Sequence, residues 1–205
     1  MNRTEQAAAF AAVNGVVTAV TVWQLLKAAL AAGEQWAVTA RSIAEEGGCR
    51  LMTSNGSSLT KVAGDIYGIK GFLSVIETRP RDAVVAALKA LMKAEGYNDN
   101  REIWDSALLI PLLLALSERP PALSNPGFVS ALEKYDIWDL VDRDASERRA
   151  ALRLGRKHPP KSETLRTGIL TWIDTAFPAR IALPPSEKLT RQEAMARVAA
   201  IGVNL

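Results

Sequence analysis

The sequence predicts an all-α protein of seven to nine helices, and three observations predict it. Apolar residues recur at three- and four-residue spacing over most of the chain. Capping residues precede these stretches, and glycine or proline follows them. Only residues 135–141 show any strand-like alternation. The 205 residues are 48% apolar, 23% charged and 6% aromatic, enough for a core and unlike collagen-like, disordered or disulfide-stapled chains. Cys49 is the single cysteine and His158 the single histidine, so neither an intramolecular disulfide nor a conventional zinc site is available.

The elements follow in order. Thr4 and Glu5 open a first helix that Gly33 stops, and a second helix over 35–46 ends at Gly47 and Gly48. The stretch LMTSNGSSLT breaks the pattern at Asn55-Gly56, as a hairpin tip or a loop. Ser57 or Ser58 then caps a segment placing Gly64, Gly68 and Gly71 on one helical face for close backbone approach; a glycine loop is the alternative. After Arg79-Pro80, residues 81–95 form an amphipathic helix with Val84, Leu88, Leu91 and Met92 on one side and Gly96 as its stop. Asn98, Asp99 and Asn100 offer caps for a helix carrying Ile103, Trp104 and ALLIPLLLAL, with a kink or division at Pro111. SNPGF opens a helix to about Lys134, and further helices are expected over 145–154, 162–176 and 191–201. The last begins with the capping box Thr190-Arg191-Gln192-Glu193. A helical core over 1–121 and a smaller basic region over 122–205, with a proline-rich connector at 177–186, complete the layout.

The uncharged run at 6–26 is long enough to cross a bilayer but is diluted by Asn14, Thr18, Thr21 and Gln24. Asn14, Thr18 and Thr21 share a face with Ala11 and Gly15, a stripe suited to close helix packing in water or in lipid. The expectation is a partner-covered or self-associating helix, with membrane entry as the alternative. No cleavage signature follows, so a cytoplasmic location is expected.

Charge is concentrated. Residues 148–166 hold seven basic side chains against Glu163, a local net of +6, while the chain as a whole is only +3. Such a segment is the footprint of a phosphate or acidic-partner surface. Phosphate-loop, dinucleotide, metalloprotease and nucleophile-elbow motifs are absent, and nothing calls for a cofactor or metal.

Two local patterns resemble known families. Residues 145–174 resemble the two helices of a ribbon-helix-helix DNA-binding module, through Gly155-Arg156, Ser162-Glu163 and Arg166, with Leu152, Leu165, Ile169, Trp172 and Ile173 at core spacing. That resemblance implies a phosphate held at the second helix's N-terminus, at Lys161 and Ser162. It departs from the family in the His158-Pro159-Pro160 turn and in Asp136, Asp139 and Asp142 on the candidate ribbon. EEGG at 45–48 followed by DIYGIK at 65–70 resembles phage lysozymes, implying Glu45 or Glu46 as general acid and Asp65 as its partner. A shorter likeness, residues 193–204 to the start of a helix-turn-helix, lacks a second helix.

The expected function is non-enzymatic binding of nucleic acid, a nucleic-acid-containing assembly or an acidic protein. The residues expected to carry it are Arg148, Arg149, Arg153, Arg156, Lys157, Lys161, Ser162 and Arg166. The alternatives are a structural or membrane-engaging particle protein of viral type that uses its N-terminal helix, as a homo-oligomer or within a larger assembly, and a peptidoglycan glycosidase.

Overall fold

A reciprocal cap opens the first helix of the computed structural model, which describes residues 20–56 and 60–178. The Thr21 hydroxyl accepts from the Gln24 N–H, and the Gln24 side chain accepts from the Thr21 N–H at 2.8 Å. This helix, α1 (Val22–Ala32), stops as expected at Gly33, whose φ of +71° is open to glycine at no steric cost. It does not run unbroken from Thr4, because Thr21 is extended. The uncharged run is therefore divided before its end, and positions 6–19 of it lie outside the described residues. Among the described residues, no helix is long and apolar enough to cross a membrane.

α2 (Gln35–Glu46) has the expected bounds and buries Ala37, Ala40, Ile43 and Ala44. It ends where Gly47 meets Leu88, leaving no room for a side chain: a Cβ on Gly47 would lie 2.5 Å from Leu88 Cβ. The following segment is no hairpin. β1 (Arg50–Leu51) and β2 (Asp65–Ile66) pair in parallel, Arg50 opposite Asp65 and Leu51 opposite Ile66. Of the glycine segment, only the end is helical: α3 runs Ile69–Thr78. Gly68 and Gly71 bring α3 against the Ser106–Ser117 helix, since added Cβ atoms would lie 2.5 Å from Ser106 Cβ and 2.7 Å from Ile110 Cγ1.

α4 (Arg81–Lys93) buries Val84, Leu88 and Leu91 as its periodicity requires. α5 (Ser106–Ser117) starts later than expected, because Asp105 is the residue whose carboxylate accepts from a first-turn N–H, that of Ala107 at 2.9 Å. Ile103 and Trp104 precede it in turns, and the buried Trp104 donates to the Tyr97 carbonyl at 2.7 Å. Pro111 lies inside α5, which continues through it as one helix. Two short helices follow, α6 (Pro120–Leu123) and α7 (Phe128–Glu133).

The strand expected over 135–141 is absent. Asp136 accepts from the N–H groups of Trp138 and Asp139 and starts α8 (Ile137–Arg153), whose buried Ile137, Leu140 and Asp144 recur at helical spacing. α9 (Lys161–Ala176) matches its expected span and buries Leu165, Ile169 and Ile173. The helix expected over 191–201, the proline-rich connector beyond Pro178 and the helix-turn-helix likeness lie outside the described residues.

The fold is all-α, with nine helices among the described residues. One apolar core runs from Ala40 to Ile173 without a gap at residue 121, and its most extensive helix pair is α5 with α9. Tyr135 and Trp172 stack at 4.3 Å, with Phe128 and Phe177 beside them, joining α7, the start of α8 and the end of α9. A smaller cluster of Leu26, Ala29, Ala37 and Ile69 holds α1 to α2 and the start of α3.

Candidate nucleic-acid interface

α8 ends at Arg153 because Gly155 turns the chain at φ +63°, donating to the Leu152 carbonyl at 3.1 Å while the Arg156 N–H reaches Ala151 at 2.9 Å. Pro159 and Pro160 then straighten the chain, and Pro160 leads into α9. No side chain caps α9, so the N–H groups of Lys161 and Ser162 keep no partner among the described residues. The turn is fastened to α8 from beneath. Buried Asp144 lies 3.4 Å from Arg148 and 3.8 Å from His158 Nδ1, and Arg148 also donates to the Pro159 carbonyl at 3.2 Å.

The eight residues singled out in the sequence fall into three groups. Arg149, Arg153, Arg156, Lys157 and Lys161 are exposed and form no ion pair among the described residues. Arg149 donates only to the Ala145 carbonyl, at 3.1 Å. Arg148 is spent on Asp144 and the turn, so it braces the surface rather than extending it. Arg166 points elsewhere: its guanidinium donates to Glu118, which also takes Arg79 at 2.7 Å and Arg119 at 3.3 Å. Arg119 in turn grips Asp174 through two hydrogen bonds, 2.7 and 3.0 Å. Burial pushes the Glu118 carboxyl up, but the Arg166 hydrogen bond and the charges of Arg166, Arg79 and Arg119 outweigh it and hold the group below the usual carboxylate range. Sequence spacing does not reveal this cluster: apart from the adjacent Glu118 and Arg119, its paired residues lie 39 to 55 positions apart.

The third group is Ser162. It lines a cleft of about 500 Å³ together with Trp23, Tyr67, Lys70, Ser106 and Ile110, where the first turns of α1, α3, α5 and α9 meet. The sequence signal for this meeting point was the Gly68 and Gly71 pair, read as a place of close approach.

Cationic side chains on the α8 C-terminal turn are favoured there by the helix dipole, and the bare N–H groups of α9 favour an anion across the same turn. The arrangement can neutralise several phosphates or carboxylates. Two large apolar side chains stand among the cations, Leu152 at 79% and Leu154 at 66% exposure.

Two of the three glycosidase candidates are paired with guanidinium groups. Exposed Glu46 is paired with Arg81 at 2.9 Å, and buried Asp65 is paired with Arg50 at 2.8 Å. Glu46, a candidate general acid, and Asp65, its expected partner, are thus each engaged by a guanidinium. Glu45 is exposed on the last turn of α2. Among the described residues, no group of three or more His, Cys, Asp or Glu side chains is placed to hold a metal ion. A scan against models of known protein families, a search of curated proteins and a search of solved structures each returned no match.

Proposed function

We propose that the chain is a non-enzymatic binding protein that engages nucleic acid, or an assembly containing it, through the α8–α9 turn. One observation carries this reading: Arg149, Arg153, Arg156, Lys157 and Lys161 are exposed and unpaired among the described residues, while the neighbouring Arg148 and Arg166 are neutralised. Unpaired cations grouped on one turn interact with phosphates without sequence reading, releasing counterions as they bind. An acidic protein surface is the second reading, favoured by Leu152 and Leu154, which phosphates leave unsatisfied and a protein partner covers.

The test is binding of the purified chain to short duplex and single-stranded DNA and RNA across a salt series. The variant in which Arg149, Arg153, Arg156 and Lys157 are all Ala serves as the comparison. Removing four phosphate contacts flattens the salt dependence by roughly three to four in logarithmic slope. Equal binding by the variant, or none by either protein at low salt, overturns the nucleic-acid reading.

A further inference from the structure

Two surfaces of opposite kind stand at the two ends of α8. At its start lies a hollow of about 350 Å³, between the turn that follows α4 and the junction of α7 with α8. Two hydrogen bonds tie its walls together: the Glu95 N–H donates to the Glu133 carboxylate at 3.2 Å, and the Tyr97 hydroxyl to the Tyr135 carbonyl at 2.9 Å. Glu95, Glu133 and Asp136 line the hollow beside a single ammonium, Lys134. None of the three carboxylates has a cationic partner among the described residues; Glu133 and Asp136 accept backbone N–H groups instead. Tyr97, Tyr135 and Trp138 complete the lining with aromatic surface. Carboxylates set among aromatic rings select a cation on an apolar stem, since a guanidinium pairs with the first and lies over the second.

At its other end α8 carries that chemistry outward. Arg149, Leu152 and Arg153 are exposed and share one face by their three- and four-residue spacing, and exposed Leu154 and Arg156 follow in the turn. The arginines have no carboxylate among the described residues, and the leucines have no apolar cover. The hollow offers both. The two cannot meet within one molecule, because the 17 residues of α8 hold them about 25 Å apart.

We infer that the α8–α9 turn of one copy docks in the hollow of a second copy, its arginines at Glu95, Glu133 and Asp136 and its leucines against the aromatic rings. The choice of a second copy rests on charge complementarity that the chain supplies by itself, cationic and exposed at one end of α8, anionic and concave at the other. Arginine and aromatic side chains are also what the centres of protein interfaces favour. The contact is head to tail, so every pair keeps one unused turn and one unused hollow, and copies add in a row until a ring closes. The inference goes beyond the nucleic-acid reading and stands without it.

The test is sedimentation velocity of the purified full chain, free of nucleic acid, from micromolar to millimolar concentration. The native chain is expected to grow beyond the dimer as concentration rises, and less so at high salt. Two variants each remove one surface at exposed positions: Arg149→Glu with Leu152→Ser and Arg153→Glu on the turn, and Glu95→Gln with Glu133→Gln in the hollow. Both are expected to keep the native urea midpoint, and each alone to associate at least about tenfold more weakly than the native chain. Their equimolar mixture is expected to recover the native affinity yet stop at a dimer, because each supplies the one surface that the other lacks. A native chain that stays monomeric at millimolar concentration overturns the inference. So does association unchanged in either variant, or a mixture that associates no better than its components. The nucleic-acid reading is decided by its own titration, in which the hollow variant should match the native chain.

Discussion

Replacing Glu118 by Gln removes one of the two carboxylates that balance Arg79, Arg119 and Arg166 at the ends of α3 and α5 and along α9. In the native protein three guanidinium groups converge on that one carboxylate. A pair of unit charges 4 Å apart near a protein surface interacts by about 4 kcal/mol. These side chains are between a quarter and a third exposed, so desolvation and screening reduce each pair to about 1 kcal/mol. The Gln carbonyl still accepts one hydrogen bond, returning about 1 kcal/mol. The net loss at neutral pH is then about 2 kcal/mol, a fall of roughly 4–8 °C in Tm for a chain of this size. The pH dependence carries the sharper test. Because folding lowers the Glu118 pKa, its contribution is complete above the unfolded-state value and is lost as pH falls through the folded-state value. Protonated Glu resembles Gln, so the native and variant unfolding curves, measured by urea titration, should converge in acid and separate as pH rises. A difference below about 0.5 kcal/mol at neutral pH, or one that persists unchanged in acid, would refute the assignment.

Three further outcomes follow from the packing. Gly47→Ala should lower stability by about 1–3 kcal/mol in urea, because the new methyl meets Leu88 Cβ, an atom fixed to the α4 backbone; an unchanged midpoint contradicts the close approach of α2 and α4. Trp104→Phe should cost about 1–2 kcal/mol, since the Tyr97 carbonyl loses its buried donor, and calorimetry of the two proteins checks it. Cys49 is buried, and burial followed by the nearby Asp65 charge pushes its thiol up to about 12. At pH 8 the thiolate is then on the order of one molecule in ten thousand, so Ellman's reagent should label the native chain slowly and the urea-unfolded chain at once. Rapid stoichiometric labelling of the native chain would show that the thiol is accessible.

What could be read from the sequence was what is local. α2, α4 and α9 were legible because their stops and starts, Gly47, Arg79-Pro80 and Pro160, sit beside regular apolar spacing. The error at 135–141 has a local cause too: Asp136, Asp139 and Asp142 fall at every third position, a helical spacing, and the Asp136 side chain satisfies two N–H groups and so favours a helix. The start of α5 was missed by a few residues because three good cap residues at 98–100 compete with Asp105, and only packing of Trp104 on Tyr97 decides between them. For the interface, composition located the cationic stretch but not which cations are free. Arg148 could have been paired with Asp144 at four-residue spacing; Arg166 could not have been paired with Glu118, 48 residues away. The cleft was the least legible, since it joins residues from 22 to 162.

The stacking of α9 on α5 bears on how portable the basic turn is. Leu165, Ile169 and Ile173 are sealed in the same core as Leu109, Leu112 and Leu116, so the helix presenting Lys161 is also a wall of the protein's interior. Grafted onto another scaffold as a peptide, residues 145–174 would leave those three apolar side chains in water, at about 2 kcal/mol each. The cations would then decorate an ensemble of conformations and lose their common face. This surface is inherited with its whole fold or not at all, and its chemistry can be altered in place by substitution but not transplanted.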